Sequence, residues 1–127
     1  MDKKTKLTLE ELMRRKTQML ESKKTKKTAE LYVESLKATV TVEAPSRALV
    51  IDSQAMDDNA DQYLVYECIK EPDLHNSELL KEFGVDVPMN IVDVIFTPGE
   101  ITRIAMECME LAGYHEGCVK KLEEIKN

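Results

Sequence analysis

Thr97-Pro-Gly-Glu-Ile-Thr-Arg-Ile-Ala-Met-Glu-Cys-Met-Glu-Leu-Ala-Gly113-Tyr114 writes the start, face and stop of a helix into its residues. The Thr97 hydroxyl is placed to accept from the Glu100 N–H, and the Glu100 carboxylate to accept from the Thr97 N–H. This is a capping box with Pro98 at the first helical position, where a missing N–H costs nothing. Ile101, Ile104, Ala105, Cys108, Leu111 and Ala112 recur at offsets of three and four and mark one apolar face. Gly113 suits the left-handed residue that ends a helix. Nothing in the stretch is catalytic; it is a face built to pack.

Upstream, Leu31 and Val33, then Val40 and Val42 set between threonines, alternate with period two. This predicts antiparallel strands over about 29–35 and 38–44, joined near Leu36-Lys37. A lone hairpin is marginal in water, so it must pack on helices. Pro45 ends the second strand and Ser46 caps a short helix to about Met56. A further helix runs from Asn59 or Asp58 to Glu71, with Leu64, Val65, Cys68 and Ile69 inward and Pro72 as its stop. Asn76 or Ser77 opens a helix with Leu79, Leu80 and Phe83 inward, closed by Gly84. Pro88 opens another, with Ile91, Val92, Ile95 and Phe96 inward. The tail from Cys118 to Asn127 is amphipathic through Val119, Leu122 and Ile125.

Toward the N-terminus, Thr8 and Glu11 repeat the capping-box signature ahead of a helix to about Leu20. Leu9, Leu12, Met13, Met19 and Leu20 partly line one side of it. Lys23-Lys-Thr-Lys-Lys27 follows as an exposed basic linker. The expected organisation is a basic, mobile helical arm over 1–27 and one globular domain over 28–127. The expected fold is α+β and mostly α: an N-terminal helix, one antiparallel β-hairpin, then a compact bundle of about five helices.

The chain has 127 residues, 43% of them apolar and 33% charged, with seven Met and no Trp. Aliphatic side chains and methionine must therefore fill the core, and methionine leaves surfaces that repack easily. Residues 1–28 carry ten Lys/Arg against four Asp/Glu, and residues 29–127 carry eight against twenty. A basic arm on an acidic body admits nucleic-acid binding by the arm, but the body would repel a phosphate backbone. The blander reading is a solvated N-terminus. The charged start lacks the apolar core of a signal peptide, and no stretch has the apolar length of a membrane helix. With three unpaired Cys spacings, the expectation is a cytoplasmic chain with reduced thiols.

Tests for chemistry fail in turn. Asp57, Asn59 and Asp61 match the opening ligands of an EF-hand loop, but Gln62 replaces its glycine and Cys68 its bidentate glutamate. Cys108, His115 and Cys118 lack the fourth ligand of a structural zinc site. Cys108 has neither a base nor a cause for a low pKa in the sequence, so it reads as a small hydrophobe. No phosphate loop, Gly-x-Ser-x-Gly or His-Glu-x-x-His is present. The chain is read as a non-enzyme with no cofactor and no metal.

The order of segments resembles a known family. Tyr32-Val-Glu-Ser-Leu36, Ala44-Pro-Ser-Arg-Ala-Leu-Val-Ile-Asp52, Asp61-Gln-Tyr-Leu-Val-Tyr-Glu-Cys68, Ile91-Val-Asp-Val-Ile-Phe-Thr-Pro-Gly-Glu100 and Leu111-Ala-Gly-Tyr114 look like the XkdN/YqbN-type tail assembly chaperones of tailed phages and PBSX-like prophages. Leu7-Thr-Leu-Glu-Glu-Leu12 also fits, so the likeness covers about residues 7–127. No one motif is diagnostic; the ordered set is. Lys37-Ala38 stands where relatives would carry a tighter, glycine-containing turn.

The resemblance implies a chaperone that binds the aggregation-prone tape measure protein, keeps it soluble, helps recruit tail tube subunits and is absent from the virion. Its partners would be the tape measure protein and the tail tube protein, with no small-molecule substrate, no membrane and no nucleic acid; a homo-oligomer stays open. The alternatives are a structural tail or baseplate-associated protein and a small nucleic-acid-binding regulator using the basic arm. Leu9, Leu12, Met13 and Met19 on the arm, and Met106 and Met109 on the main helix, are the candidate partner-binding residues. For Met106 and Met109 the plain alternative is ordinary burial.

Overall fold

A computed structural model describes residues 6–122. The chain divides into two units. One is the body, Lys27–His115; the other takes in both ends, Met1–Lys26 and Glu116–Asn127.

In the body, β1 (Thr28–Val33) and β2 (Ala38–Glu43) pair antiparallel with Leu31 opposite Val40 and Ala29 opposite Val42. Period-two burial follows the sequence alternation: Val33, Val40 and Val42 are buried, while Tyr32 and Thr39 face out. A single 3-10 turn, Glu34–Leu36, joins the strands, and Lys37 closes it in the left-handed region at φ 49°. A glycine would hold that conformation without the Cβ clash that a lysine bears.

The sheet has a third strand where the sequence predicts only a hairpin. β3 (Ile69–Glu71) pairs antiparallel with the other edge of β2, through a register shift at Thr41/Val42, to give the order β1-β2-β3. The helix expected to reach Glu71 therefore stops at Cys68. Ile69 continues the helical apolar stripe by spacing, yet it is buried as a strand residue. Pro72, expected as the stop of that helix, instead follows the strand.

The body also holds five helices: α3 (Arg47–Gln54), α4 (Ala60–Cys68), α5 (Ser77–Glu82), α6 (Ile91–Ile95) and α7 (Pro98–Leu111). Ser46 caps α3 and Asn76 caps α5 through their side-chain oxygens. The Asn59 side chain makes no such bond at the start of α4. α4 is the central element and packs against α3, α6 and α7, while α7 also reaches β1 and β2. The core is aliphatic: Val42, Val65, Leu74, Ile91, Val92 and Cys108 are fully buried, with Phe96 and Ile104 around them. Phe83 departs from the expected pattern and is half exposed. It falls on the residue that ends α5, where the chain turns outward, while Leu79 and Leu80 are partly buried.

α7 is bounded as its sequence dictates. Thr97 Oγ1 accepts from Glu100 N at 3.2 Å and Glu100 Oε1 accepts from Thr97 N at 3.0 Å. The same carboxylate accepts from Ser35 N at 3.1 Å and Ser35 Oγ at 2.9 Å, tying the helix start to the β1–β2 turn. Hydrogen bonds from the Thr97 backbone first, and then from Ser35, hold Glu100 below the usual carboxylate range. Ile101, Ile104, Ala105 and Cys108 are buried, and Gly113 has φ 99° just beyond the helix.

In the other unit, the helix expected from Thr8 to Leu20 is two: α1 (Leu9–Arg14) and α2 (Lys16–Lys24), divided at Arg15. The second runs into the stretch expected to be linker. Neither buries a residue. Only half of the expected capping box forms. Thr8 Oγ1 accepts from Glu11 N at 3.1 Å, but the Glu11 carboxylate is held by Arg14 and Arg15 at 2.6–2.7 Å instead of returning to Thr8. Of the expected amphipathic tail, Val119 is exposed, and Ile125 lies outside the described residues.

Candidate partner-binding surfaces

Surfaces that bind a partner must expose apolar side chains, and the two groups of candidate residues do so differently. On the N-terminal helices Leu9, Leu12, Met13 and Met19 are exposed along with Leu20. Their neighbours are Lys and Arg, so the helices present apolar side chains inside a positive field. The polar sequence Lys16–Lys24 has no buried side and no strong apolar face.

Met106 and Met109 lie on the body. Met106 is 47% exposed, whereas Met109 is partly buried against the core. The two meet in a depression of about 180 Å³ with Ala105, Glu110, Tyr114 and Asp61. A second depression, of about 340 Å³, adjoins along the same helix face. Phe96, Pro98 and Ile101 are apolar there, and Asp58, Asp61, Gln62 and Asp93 surround them. Gln62 Nε2 donates to Asp93 and to Asn90 Oδ1, which fixes α6 beside the start of α4. A third depression, of about 410 Å³, lies between the end of β1 and the first turns of α7. Tyr32, Gly99 and Ile104 line it with Glu34, Glu100 and Arg103.

Sequence reading missed the acidic surround of the second depression. The sequence offers Asp58 only as a helix cap and Asp61 only as a ligand position of an EF-hand loop that fails. Asp93 arrives from α6, which no spacing pattern links to α4. Tyr114, just past the end of α7, is not among the residues the sequence offers for partner binding.

Chemistry at the cysteines takes a definite form. Cys68 on α4 and Cys108 on α7 are buried and free of disulfide. The neighbouring Cys68 thiol, and then burial, push the Cys108 thiol far above the ordinary range, so it stays protonated and non-nucleophilic. Cys118 is exposed. Among the described residues no group of three or more His, Cys, Asp and Glu converges as metal ligands would. His75 is engaged otherwise: its ring stacks on Tyr66 at 4.1 Å between centroids, and Nε2 lies 3.3 Å from the Tyr66 carbonyl oxygen. Among the described residues no helix is long and apolar enough to cross a membrane.

The geometry is thus one of grooves and exposed apolar side chains on a well-packed body. The family model of the phage XkdN-like tail assembly chaperone protein matches residues 1–126. No curated protein and no solved structure matches the chain. The match spans the body and both ends alike, and the chain belongs to the XkdN-like family of phage tail assembly chaperones, a non-catalytic role in phage assembly.

Proposed function

We propose that this chaperone binds the tape measure protein in the cytoplasm of the bacterial host, keeps it in solution and helps bring tail tube subunits to it, then leaves before the particle is complete. The observation that carries this reading is the family match over residues 1–126. The exposed apolar side chains support it, because a long helical client is held by apolar helix-in-groove contact without any catalytic group. The acidic body supports it too, since like charge keeps loaded complexes apart. On this reading Met106 and Met109 serve the client from the body, and Leu9, Leu12, Met13 and Met19 serve it from the N-terminal helices.

Co-expression with the tape measure protein tests the proposal. The soluble fraction of the client is expected to rise several-fold with the chaperone, and the chaperone to be missing from purified virions. An insoluble client in the presence of abundant, folded chaperone would refute the first part. Stoichiometric chaperone in virions would refute the second and favour a structural tail protein. Charge substitutions at Leu12 and Met13 that leave client solubility intact would remove the N-terminal helices from the client site.

A further inference from the structure

The depressions along α7 are not electrically alike. The one beside β1 mixes Glu34 and Glu100 with Arg103. The other two are lined by Asp58, Asp61, Asp93 and Glu110, and among the described residues no Lys or Arg lines either of them. Asp61 borders both, so they form one trough. Its apolar floor follows α7 from Pro98 through Ile101 and Ala105 to Met109, a single face at offsets of three and four. From Pro98 to Met109 the helix rises about 16 Å, enough to lay about three turns of another helix against it.

We infer that this trough takes a positively charged amphipathic helix of the client, its apolar anchors on Met106, Met109 and Tyr114 and its Lys or Arg residues against the carboxylates. The inference rests on the client-binding reading above and adds the chemistry of the bound segment. Charge complementarity is what names the occupant. Residues 27–115 hold six Lys/Arg against seventeen Asp/Glu, so an acidic helix would be repelled on approach and a neutral one not steered, while a basic one would be steered in. The floor supplies the short-range part: Met106 and Tyr114 are nearly half exposed, and covering them removes apolar surface from water. Methionine adapts to anchors of different shape, which suits a client read by pattern and not by one sequence.

Two measurements test this on the full chain. The first uses synthetic helices with a leucine face and either a lysine or a glutamate polar face, with binding read by fluorescence anisotropy. The lysine helix is expected to bind at least about tenfold more tightly at 50 mM salt, with most of that preference gone at 500 mM. Asp58→Asn/Asp61→Asn/Asp93→Asn is expected to remove the preference. Glu78→Gln/Glu82→Gln/Asp86→Asn removes the same charge elsewhere and is expected to keep it. Equal binding of both helices, or equal loss in both triple variants, would overturn the inference.

The second measurement uses the co-expressed tape measure protein. Loss of its solubility with the trough variant, and not with the control variant, supports the proposal. Full solubility with the trough variant overturns the trough as client site while leaving the client-binding function intact. Failure of the unaltered chaperone to solubilise the client refutes that function, whatever the model helices do. A salt-sensitive dimer that deletion of residues 1–27 abolishes, with client binding unchanged in the trough variant, would assign the trough to the basic helices of a second copy and overturn the proposal.

Discussion

Thr97–Glu100 and Thr8–Glu11 carry the same Thr-x-x-Glu signature and come to different ends. At the first, both reciprocal hydrogen bonds form and the helix runs to Leu111. At the second, one bond forms, Arg14 and Arg15 take the carboxylate, and the helix breaks after Arg14. Two differences account for this. Glu100 gains Ser35 as a second partner and keeps its Thr97 bond although Arg103 stands three residues on. Helix α7 also buries Ile101, Ile104, Ala105 and Cys108, whereas α1 buries nothing. A cap chooses where a helix begins; burial of a face decides how much stability the helix carries.

The sharpest way to break this contrast is to remove a side chain from each face. Ile104→Ala is expected to destabilise the body by about 2–4 kcal/mol, the range for emptying a packed core site. Leu9→Ala, at a residue 73% exposed, is expected to move global stability by no more than about 0.5 kcal/mol. Urea unfolding followed by circular dichroism compares the two. Equal losses would show that the N-terminal helices share the body's stability after all.

The caps themselves give the next, smaller effect. Thr97→Ala is expected to cost about 1 kcal/mol, and Thr8→Ala to leave the unfolding midpoint unchanged because α1 bears no core. Glu100 adds a pH signature. Its folded pKa lies below the unfolded value, so its contribution is full above the ordinary carboxylate pKa and fades as pH falls through the lowered one. The stability gap between the unaltered chain and Glu100→Gln should therefore narrow on acidification from pH 6 toward pH 3. A constant gap would mean that the Ser35 and Thr97 bonds contribute nothing specific to the carboxylate form.

The same contrast explains what could be read in advance. The α7 face and cap were legible because start, stripe and stop all lie within one short stretch. The hairpin was legible from alternation at Leu31, Val33, Val40 and Val42. β3 was not, because Ile69 satisfies a helical stripe and a strand equally, and three residues are too few to show a period. Only pairing with β2 decides between them. Leu74 is fully buried, yet it sits in a turn with no periodic neighbour to announce it. The acidic trough was illegible for a related reason: Asp58, Asp61 and Asp93 converge only after α4 and α6 have packed. Charge interception at Glu11 was only half written in the sequence: Arg14 and Arg15 stand three and four residues on, where helical neighbours meet, but Arg103 stands three on from Glu100 and leaves that box closed.

That interception offers the finest test, and it moves the least. Hydrogen bonds from Arg14 first, and then Arg15, hold Glu11 below the usual carboxylate range. Arg14→Ala/Arg15→Ala should return the Glu11 titration midpoint toward the ordinary carboxylate value, read by carbon-13 shifts of its carboxyl. With the carboxylate released, it becomes available to the Thr8 N–H, and the box at Thr8 can close as the one at Thr97 does. Slower exchange of the Thr8 amide is the expected sign. Global unfolding should not shift, because the exchanged contacts are all exposed and α1 carries no core residue. An unchanged Glu11 midpoint would show that the arginines only decorate α1. A raised midpoint with fast Thr8 exchange would show that interception is not what keeps the box open, and that the missing apolar face alone separates this helix from α7.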